Sequence, residues 1–205
     1  MLQKHAVPGI AMDVLDYLSR QEFLSDFRLV GGTALALYWG HRISIDIDLF
    51  TDKKIELIQI EQQLSILEDS SQMNKNPIGL SYIIKDVKCD FLTYPYLFFH
   101  DVIKEGNLRL AHIEDIIALK LGAIANRGAR KDFIDLYYIL EKYPLEDLFF
   151  FYTRMYQVKE HFSLLKSMTC FEDAEYDSTP KLLLDKMLSW EKVKKAIIQK
   201  VSQAI

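Results

Sequence analysis

Cysteine is scarce in this chain: Cys89 and Cys170 are the only two among 205 residues. Two thiols without metal-ligand spacing exclude a disulfide framework and a zinc-finger scaffold, and they suit a reducing compartment. Positive charge is not in excess either. Lysine and arginine number 25 against 29 acidic residues, a formal net charge of −4. That balance argues against wholesale electrostatic attraction to nucleic acid or anionic lipid, while leaving room for a local basic groove. No stretch approaches the ~20 apolar residues that span a bilayer. Lys4 and His5 are followed by Asp13 and Asp16 rather than by a sustained apolar core, so no signal peptide is expected. Internal repeats and low-complexity tracts are also lacking. The expectation is a cytoplasmic protein without a membrane segment.

What is present is half hydrophobic residues and 26% charged ones, enough for one large domain or two small ones with a real core. The most informative stretch runs from Gly31 to Phe50. It holds a glycine pair, a helix-like run and then a strict alternation, with Ile43, Ile45, Ile47 and Leu49 at odd positions and Ser44, Asp46, Asp48 and Phe50 at even ones. Side chains on a strand point alternately to opposite faces, so the spacing predicts Asp46 and Asp48 on one face with the isoleucines buried on the other. Two neighbouring carboxylates repel unless a cation lies between them, and magnesium is the expected ion.

The rest of the chain arranges itself around that stretch. Ile10, Val14, Leu15 and Leu18 predict a helix over 9–20, and Phe27 to Val30 a short buried strand. Thr33 is placed to cap a helix from Ala34 to Trp39 that Gly40 ends. After Asp52, the spacing of Ile55, Ile58, Leu64 and Leu67 predicts another helix, and the polar run from Glu68 to Pro77 reads as a loop. Gly79 to Ile84 and Val87 to Tyr94 read as a hairpin turning at Lys85 and Asp86. From Leu110 onward every segment has helical periodicity, which puts a boundary near residues 97–110. The chain therefore divides into an α/β part, 1–105, and a helical part, 106–205. In the last helix, Trp190 to Ile205, the lysines read as a solvated face.

Four sets of residues carry candidate chemistry. Asp90 alternates with Cys89 and Phe91, and a strand beside the first would bring it level with Asp46 and Asp48. Three carboxylates can hold two divalent ions about 3.5–4 Å apart, the arrangement that clamps attacking and leaving oxygens in phosphoryl transfer. Gly31, Gly32 and Thr33 form the second set. A glycine pair before a helix lets a backbone approach a ligand closely, and the helix N-terminus offers N–H groups to an anion; the same pair could instead serve only a tight turn. Lys120 is third, lying in a helical stripe with Ile113, Ile116, Ile117 and Ile124, where it must snorkel outward or meet an anion. Arg127, Lys131 and Asp135 follow at i, i+4 and i+8, with Asp132 one turn before Asp135. Spacing leaves open a surface salt-bridge ladder or a phosphate-binding group. His41 and Arg42 close the turn before the aspartates or touch the substrate. His5, His100, His112 and His161 are scattered and read as structural.

These residues also carry a resemblance. Gly31-Gly32-Thr33 followed by Asp46-Ile47-Asp48 resembles the opening motif of DNA polymerase β-like nucleotidyltransferases. More narrowly, Leu29 to Leu37, His41 to Phe50, Ala118 to Ala123 around Lys120, and Arg127 to Asp135 are similar to successive blocks of the AbiEii/AbiGii nucleotidyltransferase toxins. The resemblance runs from Phe27 to Leu140. It implies an α+β fold, with a nucleotidyltransferase lobe of small mixed sheet and helices followed by a mostly helical C-terminal lobe, and NTP and magnesium between them. It implies Asp46 and Asp48 as metal ligands, Asp90 completing the set, Lys120 on the triphosphate and Asp135 as a further active-site residue. Gly31, Gly32, Thr33, Arg127 and Lys131 would serve the nucleotide. The reaction implied moves a nucleoside monophosphate from an NTP to a hydroxyl of tRNA or protein, and a separately encoded antitoxin is an implied partner. Two other readings stay open: an antibiotic nucleotidyltransferase, towards which the acidic balance leans, and a non-catalytic binding protein on the same scaffold. The Arg127-Arg130-Lys131 cluster leans instead towards a phosphate-rich acceptor.

Overall fold

The first helix-forming pattern of the chain sets the frame for the sheet that follows it. In the computed structural model, which describes residues 1–203, helix α1 is Gly9–Ser19 and buries Ala11, Val14, Leu15 and Leu18, whereas Ile10 lies half exposed off that stripe. Strand β1, Arg28–Val30, runs directly into helix α2, Gly31–Trp39, and Gly40 ends that helix in the left-handed region. Strand β2 is Ile47–Thr51, shorter than the alternation suggests. Ile47 and Leu49 are buried as expected, but Ile45 is half exposed because residues 43–46 have no neighbouring strand and are not part of the sheet.

Helix α3, Leu57–Ser65, buries Ile60 and Leu64 and leaves Ile58 half exposed. The expected loop after it is a correction: Ser70–Asn76 forms strand β3, paired antiparallel with strand β4, Gly79–Ile84. Almost every residue of β3 is exposed, as suits a polar sheet edge, so no apolar alternation announces it. Strand β5, Val87–Thr93, completes the hairpin with β4. Its two-residue turn contains no glycine; Lys85 and Asp86 both adopt positive φ, the backbone that matches the twist of paired strands. Strands β6, Ile103–Glu105, and β7, Leu108–Leu110, form a last short hairpin.

The seven strands make one mixed sheet in the order β3-β4-β5-β2-β1-β7-β6. Strand β2 is antiparallel to β1 and parallel to β5, so it is flanked on both sides near its beginning. Ile47 and Leu49 of β2 and Cys89 and Phe91 of β5 are buried on one face, where Phe91 meets Phe27 and Tyr82 edge-on. Alternation turns Asp48, Lys88 and Asp90 to the other face.

The chain forms two compact units, Met1–His112 and the residues from Ile113 onward. The sheet therefore reaches past residue 105, because the β6–β7 hairpin belongs to it and Leu108 and Leu110 are buried there. The second unit is helical. Helix α4, Ile113–Asn126, packs against α5, Arg130–Leu140, α6, Leu145–Tyr156, and α7, Phe162–Met168, while α5 also packs against α8, Trp190–Ser202. The end of the last expected helix, residues 204–205, lies outside the described residues.

Candidate active site

Register places the carboxylates. Asp48 of β2 stands opposite Asp90 of β5 in the parallel pair and opposite Val30 of β1 on its other side. Asp46 lies two residues before Asp48, at the mouth of the strand, and the same offset from Asp90 leads to Lys88. Like charges directly across a ladder are destabilising unless something positive joins them. Part of that compensation is internal: the Lys88 ammonium lies 2.7 Å from Asp90 Oδ2. Burial works against the Lys88 charge, but the hydrogen bond to Asp90 and the charges of Asp90, Asp48 and Asp46 outweigh it and raise its pKa. On the opposite face, burial and the same three carboxylates push the Cys89 thiol up to about 12. Three acidic groups thus act on one small region of β5.

Asp90 divides its two oxygens unequally. Oδ2 accepts from Lys88, while Oδ1 is buried and has no hydrogen-bond partner among the described residues. A buried carboxylate oxygen without a partner is costly, and a hard divalent cation is a species that satisfies carboxylate oxygens. The open oxygen of Asp90, with Asp48 as its register partner, therefore fits such an ion.

The glycine pair has a use that spacing does not suggest. Gly31 has φ +68, and a Cβ there would come within 2.1 Å of Asp48 Oδ2. At Gly32 a Cβ would meet the Arg42 guanidinium at 2.3 Å and Ser44 Oγ at 3.3 Å. Each absent side chain makes room for a side chain of this protein. Asp48 lies against the first residue of α2, where the helix N-terminus favours a negative group. Arg42 is 2% exposed and donates to the Ile43 carbonyl at 3.1 Å; His41 is buried beside it.

Thr33 does not cap α2. Val30 holds the cap position, and Thr33 lies inside the helix, fully buried. Its hydroxyl lies 2.9 Å from Ser44 Oγ and donates to the Asp46 carbonyl. The threonine therefore fastens α2 to the segment that delivers Asp46, which positions the carboxylate through the backbone.

In the helical unit, Lys120 neither snorkels nor lies open. Its ammonium is 2.8 Å from Asp132 Oδ1 and 2.8 Å from Asp135 Oδ2, with the lysine 6% exposed and Asp135 fully buried. Asp132 does a second job, as its Oδ2 accepts the Ala129 N–H at 3.3 Å and satisfies one donor at the start of α5. The surface-ladder reading of Arg127, Lys131 and Asp135 is corrected: Arg127 and Lys131 are exposed, but Asp135 faces inward to Lys120. Arg130 is committed elsewhere, bonding to the Ala174 and Glu175 carbonyls and lying over the Trp190 ring.

Sequence reasoning missed Lys88. The pattern Lys88-Cys89-Asp90 carries the signal, because residues two apart on a strand share a face. It also treated His100 and His112 as scattered, whereas their ring centroids lie 4.0 Å apart in the first unit.

The seven-stranded mixed sheet with its helices is similar to nucleotidyltransferase folds. A candidate nucleotidyltransferase from H. pylori shares the fold with a TM-score of 0.55 at 21% identity, over 95% of this chain and 91% of that one. JHP933 from Helicobacter pylori does so with a TM-score of 0.54 at 20% identity, over 96% and 92%. An uncharacterized protein of Aquifex aeolicus (strain VF5) is 31% identical over 185 residues, 87% of this chain and 88% of its own length. The family described as "Nucleotidyl transferase AbiEii toxin, Type IV TA system" matches residues 13–99 and 78–203. The chain belongs to that family of nucleotidyltransferase toxins, and it is an enzyme of the nucleotidyltransferase class. No helix among the described residues is long and apolar enough to cross a membrane.

Proposed function

We propose that this protein transfers a nucleoside monophosphate from an NTP to a hydroxyl acceptor, releasing pyrophosphate, with Asp46, Asp48 and Asp90 as the ligands of catalytic magnesium. One observation carries the reading: Asp48 and Asp90 are register partners on adjacent parallel strands, and the inner oxygen of Asp90 is buried without a partner. Magnesium bound there would supply Lewis acidity, lowering the pKa of the attacking hydroxyl and screening the triphosphate.

The chain's own residues do the positioning. Gly31 admits Asp48 beside the start of α2, and Thr33 anchors the backbone of Asp46. Paired strands hold Asp48 and Asp90, and the Thr33 hydroxyl holds the backbone of Asp46, before any ligand arrives, so little reorganisation is needed at the moment of reaction. The N–H groups at Gly31 and Gly32 remain the candidates to meet phosphate oxygens. The resemblance assigns Lys120 and Asp135 to the active site and Arg127 and Lys131 to the nucleotide. Exposed Arg127 and Lys131 suit a phosphate-rich ligand. Lys120 would reach a phosphate only by giving up Asp132 or Asp135, so support of the helical unit is the role its geometry favours.

For the acceptor we favour tRNA or protein over a small drug, in keeping with membership of a toxin family, and a cognate antitoxin and a cytoplasmic setting follow from the same reading. The test incubates the purified protein with magnesium, each α-labelled NTP, and total tRNA, protein or candidate aminoglycoside acceptors. Label should move to tRNA or protein and should stop moving in Asp46→Asn and Asp48→Asn. Full transfer by either variant would overturn the metal assignment, and label on a drug alone would overturn the acceptor class.

A further inference from the structure

We infer that Lys88 is a resident counter-ion of the carboxylate set, which limits Asp90 to one free oxygen and keeps the affinity for a bare divalent cation low. The inference rests on the metal assignment above and deepens it. Lys88 and Asp90 share a face of β5, and the ammonium takes Oδ2 at 2.7 Å while Oδ1 stays without a partner. Asp90 can then offer an ion a single oxygen rather than a bidentate grip. Charge acts in the same direction. Asp46, Asp48 and Asp90 carry three negative charges, and the lysine reduces their sum to the equivalent of two.

Lys88 belongs to this site rather than to the fold. Its side chain is 44% exposed, and its neighbour across the hairpin is the half-buried Ile83. A surface ion pair of this kind contributes little to stability. What it can change is the field at the carboxylates. The consequence is a site that holds a divalent cation firmly only when a nucleotide's phosphate oxygens add to the ligand set. An ion would then arrive with the substrate.

The experiment titrates the full chain with Mn²⁺ alone, without nucleotide, and follows free Mn²⁺ by electron paramagnetic resonance. A unit positive charge beside a divalent ion near solvent is worth about tenfold in affinity. Lys88→Met should therefore bind Mn²⁺ about tenfold more tightly than the unmodified protein, and Lys88→Arg should stay within about twofold of it. Circular dichroism melting checks that each variant is folded. An unchanged or weakened affinity in Lys88→Met overturns the inference, because the lysine would then only brace Asp90. The metal assignment fails separately: adding Asp48→Asn to Lys88→Met should erase the gain, and a gain that survives would place the ion elsewhere.

Discussion

Two clusters in this chain are built from nearly the same parts. In the first unit, Asp46, Asp48 and Asp90 gather with Lys88; in the second, Asp132 and Asp135 gather with Lys120. They differ in burial. Lys88 is 44% exposed and Asp90 18%, whereas Lys120, Asp132 and Asp135 are 6%, 2% and 0% exposed. In the open cluster the lysine meets one carboxylate oxygen and leaves another without a partner. In the sealed cluster the lysine bridges two carboxylates on α5 from α4. The same residue types are therefore fully paired in one cluster and left with an open carboxylate oxygen in the other. Pairing makes the difference: the sealed cluster answers its buried charges internally, as desolvation demands, whereas the open one keeps Asp90 Oδ1 buried without a partner, a cost that a bound cation would offset.

The sharpest way to break this comparison is to neutralise one carboxylate in each cluster. Asp48→Asn should abolish nucleotide incorporation while leaving the unfolding transition nearly unchanged, since the near-isosteric amide keeps the packing against Gly31 and relieves the repulsion across the ladder from Asp90. A large loss of stability with retained activity would reverse the assignment of roles. Next in size, Lys120→Met should lower stability by about 3–5 kcal/mol in urea unfolding, because two buried carboxylates lose their cation. Pairing it with Asp132→Asn and Asp135→Leu should recover much of that loss, and failure to do so would show that the lysine serves more than its ion pairs.

Gly31→Ala probes the open cluster through its backbone. Positive φ together with the contact to Asp48 should cost about 1–3 kcal/mol and reduce incorporation, read by denaturation and by label transfer. Lys88→Met, by contrast, should change stability by no more than about 1 kcal/mol. A change as large as that of Lys120→Met would erase the distinction between the clusters. The smallest perturbation is chemical. A thiol reagent at pH 8 should modify exposed Cys170 and spare Cys89, whose thiol is buried and raised to about 12 by that burial and by the carboxylates behind it; mass spectrometry of the peptides reports which one reacts.

Local pattern made the open cluster legible. Alternation puts Asp48 on one face of its strand, and the hairpin from Gly79 to Thr93 was readable from its apolar runs even though its turn has no glycine. Other features left no local trace. Strand β3 is exposed on both faces, so its residues lack the period that marks a half-buried strand. Ile43 and Ile45 continue the alternation beyond the sheet, because an isoleucine next to a strand resembles one within it. Lys120 is a different case. Its apolar stripe correctly predicts that it faces inward, but the partners waiting there come from another helix.

The sequence by itself determined most of the periodic elements, the placing of Asp48 opposite the buried face of its strand, and membership of a nucleotidyltransferase lineage, because these depend on spacing along one segment. Only the tertiary structure decided that Asp90 is the register partner of Asp48, that Lys88 joins them, and that the glycine pair makes room for Asp48 and Arg42. It also decided that Lys120 is sealed between two aspartates. Pairing across strands and helices joins residues far apart in the chain, and no local spacing encodes which distant side chain will occupy the space that a small one leaves.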